Sequence, residues 1–257
     1  MIDRKQVLWG ITNDEDRLFL SKMCDMAQKA ENTGRIMYSK FLNPAQQHLV
    51  RERLSRFVDV TFFGGYEDSD RCVAAFMYDT WEELQYPIKA LKVQPTSKKS
   101  YSHRDYLGSV LALGIDRELT GDIVITEDGA YIFVLEDISE FISMNLLRIA
   151  NSTVKISYVD DLGDIVSDRR FKEASVTVSS LRLDCVLSAV AGKSRSASAD
   201  FITEGLTTVN YEVVKNTSFQ VKSGDVISLK GYGKVIVETD GGLTKKGRIH
   251  LNLKKYI

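Results

Sequence analysis

The sequence predicts an α+β protein made of three small domains: an N-terminal α+β unit over residues 1–80, a central unit over 81–165 and a C-terminal unit over 176–257. Three observations carry this. The chain has 257 residues, more than one hydrophobic core ordinarily organises. Helix-spaced apolar stripes alternate with short β-branched runs along its whole length. Charge is also split unevenly. From Ser179 to the end there are 12 Lys/Arg against 7 Asp/Glu, net +5, whereas the residues before it hold 22 against 28, net −6. A basic C-terminal third on an acidic body points to a polyanionic partner for that third. With 44% hydrophobic residues and only 3 prolines, the composition excludes a disordered or collagen-like chain. Cys24, Cys72 and Cys185 lie far apart without C-x-x-C spacing, which argues against a disulfide framework or zinc ribbon and for a reducing, cytoplasmic setting. No apolar run reaches the roughly 18 residues of a membrane span, so no membrane partner is expected.

In the first segment Thr12 and Glu15 read as a capping box, followed by Phe19, Met23, Met26 and Ala30 at helical spacing, with Gly34 as the stop. Asn43-Pro44 reads as N-cap and first-turn proline of a second helix with Val50, Leu54 and Phe57 on one face. Strand-like runs follow at Val58–Phe63 and Cys72–Tyr78. In the middle segment Ile88–Val93 reads as a strand. Ser102 with Asp105 caps a helix carrying Tyr106, Val110 and Leu113, and Gly114 stops it. Asp122–Thr126 and Ala130–Leu135 flank Asp128-Gly129, a hairpin signal because both turn positions tolerate positive φ. Glu140–Ala150 reads as a helix and Val154–Val159 as a last strand. This β-α-β-β-α-β order is the ferredoxin-like or RNA-recognition-motif plan, which many unrelated functions share. The segment between Val159 and Val176, acidic and then carrying Arg169-Arg170, is the expected boundary with the third segment. There Leu183, Val186, Leu187 and Val190 stripe one short helix, and a second runs from about Ser196 to Glu204, ending at Gly205. Strands are expected at Thr208–Val214, Val226–Lys230 and Lys234–Glu238, with turns at Gly224-Asp225 and Asp240-Gly241.

The chemistry candidates gather in that third segment. Lys193-Ser194-Arg195-Ser196 opens the second helix, where cations oppose the positive end of the macrodipole. Their presence suggests an external anion, and the free N–H groups of a helix start suit a phosphate. Arg182, Asn210, Lys230 and Lys234 extend the patch, and Lys245, Lys246, Arg248, Lys254 and Lys255 add to it. An ordinary solvated basic turn is the bland alternative, and the charge split favours nucleic-acid backbone over it.

Catalytic readings fail on spacing. His103-Arg104-Asp105 lacks the Asn that a kinase loop places five residues on; Val110 stands there. Gly192-Lys193-Ser194 lacks the first glycine of a P-loop, which is Leu187. Three scattered histidines (His48, His103, His250) suggest no metal centre, and no G-x-G-x-x-G follows a strand, so neither metal nor cofactor is expected. Tyr131 and Phe133 alternate on a hairpin strand and invite a base-stacking reading, but the basic-aromatic consensus is absent and core packing is favoured.

Arg182-Leu183-Asp184…Leu187, Ser194-Arg195-Ser196, Ile202, Gly205, Val209-Asn210 and Val221…Gly224-Asp225 resemble the RNA-binding domain named after ribosomal small-subunit protein four, the S-four domain. The resemblance implies RNA contacts at Arg182, Ser194, Arg195, Ser196 and Asn210. Where that family often carries basic residues on the helix, Ala199 and Asp200 stand here. Arg182-Leu183-Asp184 also resembles the catalytic triplet of pseudouridine synthases. Here the triplet opens the S-four segment itself, so Asp184 reads as a first-turn helix carboxylate. Across the rest of the chain, Phe41-Leu42-Asn43-Pro44, Phe63-Gly64-Gly65-Tyr66 with Arg71, His103-Arg104-Asp105-Tyr106-Leu107-Gly108, Leu113-Gly114-Ile115 and Gly121-Asp122-Ile123 resemble the YlmH family of bacterial proteins. That resemblance implies a non-enzymatic factor associated with the ribosome through large-subunit rRNA and tRNA, acting in rescue of stalled large subunits carrying peptidyl-tRNA. More weakly it implies cell-division partners. The alternatives are an RNA-modifying enzyme of pseudouridine-synthase or methyltransferase class, and a protein adaptor in division.

Overall fold

In the computed structural model the chain folds as two compact units, Met1–Ser167 and Asp168–Ile257. The structure describes all residues except 1, 68, 98, 160–161, 163–170, 240, 245–246 and 257. The expected boundary residues Arg169-Arg170, and Lys245, Lys246 and Asp240, lie outside the described residues.

In the first unit a short helix α1 (Arg4–Val7) precedes α2 (Asp14–Thr33). The cap of α2 is Asn13, whose side chain accepts the Glu15 N–H at 2.9 Å, not Thr12. Its buried stripe is Leu20, Met23, Cys24, Ala27 and Ala30, one residue on from the expected stripe at Phe19 and Met26, which are only partly buried. Gly34 ends it at φ 63°. β1 (Met37–Leu42), which the sequence pattern does not announce, leads into α3 (Pro44–Leu54), where Asn43 and Gln46 form a reciprocal capping box. β2 (Asp59–Phe63) and β3 (Cys72–Met77) complete a three-stranded antiparallel sheet in the order β1-β3-β2, covered by α2 and α3.

The second sheet of this unit holds β4 (Ile88–Pro95), α4 (His103–Leu111), β5 (Thr120–Thr126), β6 (Gly129–Leu135), α5 (Glu136–Asn145), β7 (Arg148–Ile149) and β8 (Ser152–Val159). Its order, β5-β6-β4-β8-β7, is the ferredoxin-like arrangement with a two-residue strand added at the edge. Ser102 and Asp105 cap α4 as expected. Two expectations are corrected. The helix placed at Glu140–Ala150 begins at Glu136 and stops at Asn145, because the chain then turns extended to pair Arg148–Ile149 with Ser152–Thr153. The β5–β6 turn is Glu127-Asp128, closed by Thr126 opposite Gly129, and neither loop residue has positive φ. Gly129 has a different reason to be glycine: a Cβ there would lie 2.2 Å from the Val93 carbonyl oxygen on β4.

The helices cover one face of this second sheet, where Leu91, Val93, Ile132 and Val134 pack against Tyr106, Val110 and Ile142. The opposite face packs on the first sheet. Ile88, Ala90 and Phe133 share a core with Phe41, Tyr66 and Val73. Phe133 is fully buried, its ring 4.9 Å from that of Tyr66. Polar ties seal the seam. Asp122 accepts from Tyr66 Oη (2.8 Å) and from the backbone N–H groups of Asp70 (2.6 Å) and Arg71 (3.3 Å). Arg71 donates to the Thr120 and Phe41 carbonyls, and Arg117 beside it donates to those of Thr120 and Gly121. Burial, reinforced by Arg71, lowers the Arg117 guanidinium to about 10.

In the second unit β9 (Phe171–Val178) precedes two short helices, α6 (Leu183–Ala191) and α7 (Arg195–Thr203). β10 (Thr207–Val209), β11 (Glu212–Val213), β12 (Val226–Leu229), β13 (Gly233–Glu238) and β14 (Ile249–Tyr256) follow. The six-stranded antiparallel sheet runs β11-β10-β12-β13-β14-β9. β9 and β14, absent from the expected elements, pair over eight residues each. The single strand expected at Thr208–Val214 is a hairpin, because Asn210 and Tyr211 turn it back at φ 49° and 72°. The whole is α+β with three domain-like regions.

The seam predicts an uneven response to added methyl groups. A Cβ at Gly65, already at φ 104°, would lie 2.3 Å from the Phe133 ring, whereas at Gly114 (φ 80°) nothing lies within 4 Å. Gly65→Ala is therefore expected to destabilise the protein by about 3 kcal/mol and Gly114→Ala by only about 1 kcal/mol, read by chemical denaturation.

Candidate nucleic-acid interface

The starts of α6 and α7 meet at one carboxylate. Arg182 is the N-cap of α6 and Asp184 stands in its first turn. The Leu183 and Asp184 N–H groups are taken by the carbonyls of Phe219 (2.8 Å) and Thr217 (3.1 Å), so the loop before β12 satisfies the helix start. Gly192, at φ 63°, ends α6, and Ser188 Oγ donates to the Lys193 carbonyl at 2.7 Å to tighten the link to α7. Ser194 caps α7, its Oγ accepting the Ala197 N–H at 3.2 Å, and Arg195 is the first helical residue. This geometry turns both arginines onto Asp184. Arg182 approaches it as a fork, Nε to Oδ1 at 3.1 Å and Nη2 to Oδ2 at 3.2 Å, while Arg195 Nη2 donates to Oδ2 at 2.8 Å.

The anion that balances Arg195 at a helix start is thus internal, which corrects the expectation of an external one. The balance is incomplete. Two guanidiniums share one carboxylate, and Lys193 stands exposed beside them. Asp184 has only 9% of its side chain exposed, against 38% for Arg182 and 57% for Arg195, so water reaches the cations and hardly the anion. Burial opposes the Asp184 charge, but the two guanidiniums outweigh it and hold the carboxyl well below the usual carboxylate range. A fork fixed in this way keeps its remaining N–H groups in a set direction, as phosphate recognition requires. Ser196 is exposed in the first turn of α7.

A second group lies on the sheet. Asn210 Nδ2 donates to Asp225 Oδ1 (2.9 Å) and its Oδ1 accepts the Val226 N–H (3.0 Å), so most of the amide holds the β10–β11 turn in place. Both turn residues have positive φ, the geometry that usually selects Asn-Gly, yet the second position is Tyr211. A bulky residue there costs on the order of 1–3 kcal/mol. The contact of its ring with Lys234 Nζ, 5.0 Å from the centroid, returns about 1 kcal/mol between two half-buried side chains. Sequence reasoning missed Tyr211 because it read the hairpin as one strand. The tail cations are partly engaged: Lys254 pairs with Glu238 at 2.9 Å and Arg248 donates to the Thr177 carbonyl at 2.7 Å. Lys230 and Lys255 are exposed. Phe133 is unavailable for base stacking, since the first sheet covers it; Tyr131, partly buried, belongs to the same core, with Lys92 over its ring. Among the described residues no helix is long and apolar enough to cross a membrane.

The fold is that of an α+β protein with several domain-like regions, the basic one carrying the paired-arginine clamp. The family models for "YlmH, N-terminal" (residues 15–78), "Putative RNA-binding domain in YlmH" (82–161) and "S4 domain" (181–227) match along the chain. The chain belongs to the YlmH family. It is 29% identical over 247 residues to the Bacillus subtilis (strain 168) "Ribosome-associated protein quality control protein P2", covering 94% of this chain and 95% of that one. The structure of "Cell division protein ylmH from Streptococcus pneumoniae" is similar in fold, with a TM-score of 0.51 at 21% identity over 59% of this chain and 94% of that one.

The clamp predicts a pH signature. A carboxyl held low in the folded state stabilises above its unfolded value near 4, and that stabilisation is lost as pH falls through the folded value. Asp184→Asn is expected to lower stability by about 2 kcal/mol at pH 7. The gap from wild type should narrow below about pH 4. Urea titrations of both proteins at several pH values measure it.

Proposed function

We propose that this protein is a ribosome-associated RNA-binding factor without chemistry of its own. It docks on large-subunit rRNA and tRNA through residues 176–257, in rescue of stalled large subunits carrying peptidyl-tRNA. The observation that carries the reading is the Arg182–Asp184–Arg195 clamp, which presents two oriented guanidiniums with only one charge neutralised, in the basic third of the chain. The match to an RNA-binding domain model and a relative named for ribosome-associated quality control support it. Arg182, Lys193 and Arg195 meet phosphates, and Ser194 and Ser196 add hydroxyl and backbone donors. Asn210 sets the position of the β10–β11 turn, and Lys230 adds charge on the sheet side. Residues 1–80 and 81–165 form the remaining two domains, with the sheet face between them closed to RNA. Such a role places the protein in the cytoplasm.

Alanine at the arginines alone would leave a nearly buried carboxylate without its cationic partners, held only by the Cys185 N–H, and perturb the fold. The triple variant Arg182→Gln, Asp184→Asn, Arg195→Gln removes cations and anion together. It is expected to melt within a few degrees of wild type and to leave the large-subunit fraction in lysate sedimentation. Its log affinity for RNA should also depend less steeply on log salt, by roughly 1 to 2. Co-migration unchanged from wild type would place the RNA surface elsewhere.

A further inference from the structure

The strained turn at Tyr211 sits at the edge of an open depression on the outer face of the C-terminal sheet. Across β10, β12 and β13 the register aligns Thr208, Ser228 and Lys234 in one row on the half-exposed side, while Val209, Ile227 and Val235 face the core. The depression measures about 520 Å³ and is lined by Leu206, Thr208, Ser228, Lys230, Gly231 and Lys234. Small hydroxyl side chains and glycines form its floor, two lysines its rim, and Tyr211 reaches Lys234 from the turn. A turn that only had to reverse the chain would carry glycine after Asn210. A tyrosine held at φ 72° instead places a ring where the backbone disfavours it, at a position fixed by the Asn210–Asp225 bond.

We propose that Tyr211, with Lys230 and Lys234, forms a second RNA site that takes one unpaired nucleobase by stacking on the tyrosine ring and its flanking phosphates on the two lysines. This rests on the RNA-binding reading above and adds to it a preference for RNA with an exposed base. The chemistry fits: a base stacks on an aromatic ring whatever its sequence, and a nearby cation strengthens both contacts. The Arg182–Asp184–Arg195 clamp, with no aromatic side chain in it, supplies charge alone. The two sites therefore divide the work between backbone attraction and recognition of an unpaired base.

The test uses the full chain and two fluorescein-labelled RNAs, a stem-loop and the same stem as a blunt duplex, with binding read by anisotropy. Tyr211→Gly removes the ring and relieves the positive φ, so its unfolding midpoint should equal or exceed that of wild type. Tyr211→Asn, also suited to this conformation, is the second variant. Both are expected to bind the stem-loop about tenfold more weakly and the blunt stem as wild type does, whereas Tyr211→Phe keeps stem-loop affinity. Unchanged stem-loop affinity in Tyr211→Gly would overturn the site, as would an equal loss on both RNAs. If wild type binds neither RNA, the RNA-binding reading itself fails and this site falls with it.

Discussion

A nearly buried carboxylate organises the basic end of this molecule. Asp184 stands where α6 begins and draws in one guanidinium from its own cap and another from the start of α7. Without it, Arg182 and Arg195 would repel each other at the positive ends of two helices. With it they are held at fixed angles, and one positive charge remains over. A fully neutralised cluster would have no attraction for phosphate, and an unneutralised one would not hold its geometry. The ratio of two to one satisfies both demands.

The first unit shows a contrasting use of a sheet. The ferredoxin-like plan leaves one sheet face uncovered by its own helices, and RNA-recognition domains stack bases there. Here Phe133, Ile88 and Ala90 give that face to Phe41, Tyr66 and Val73 of the first sheet. Asp122 adds three hydrogen bonds across the seam from the segment 66–71. Burying a ring the size of Phe133 stabilises by about 2–3 kcal/mol, so exposing the face to RNA would forfeit that and the polar ties together. Any RNA contact by this part of the chain has to come from its helices, loops or edges. The motifs at Phe41, Gly64-Gly65-Tyr66, Arg71 and Gly121-Asp122 are explained at the same place, since all of them converge on the seam.

Much of this was legible in the sequence where local chemistry decides. Caps at Asn43 and Ser102, the stop at Gly34, and the order of elements in the central sheet all follow from short-range signals. Long-range pairing was not. β9 and β14 are separated by 70 residues, and polar residues break up their apolar ones (Ala174, Val176 and Val178 in β9; Ile249, Leu251 and Leu253 in β14), so neither shows a continuous apolar run that identifies it. β1 is hard to see because Lys40 and Ser39 interrupt its apolar residues, although Phe41 and Leu42 are buried. At the candidate site the cations were legible from composition, but their shared anion was not. Arg182 and Asp184 are two apart and Arg195 is eleven residues further on, a relation that only the turn at Gly192 creates. Tyr211 illustrates the reverse case: a β-favouring residue in a β-favouring run concealed a turn that usually carries glycine.

The central claim, that RNA meets the clamp and the outer face of the C-terminal sheet while the central sheet face stays closed, is tested most directly by photocrosslinking. The full chain would be bound to large ribosomal subunits containing 4-thiouridine, irradiated, and its crosslinked peptides mapped by mass spectrometry. Crosslinks confined to residues 182–198 and 208–234, with none on the buried Phe133, are the predicted result. Crosslinks to Phe133 would contradict it, because RNA could reach that fully buried ring only if the seam between the two sheets opened.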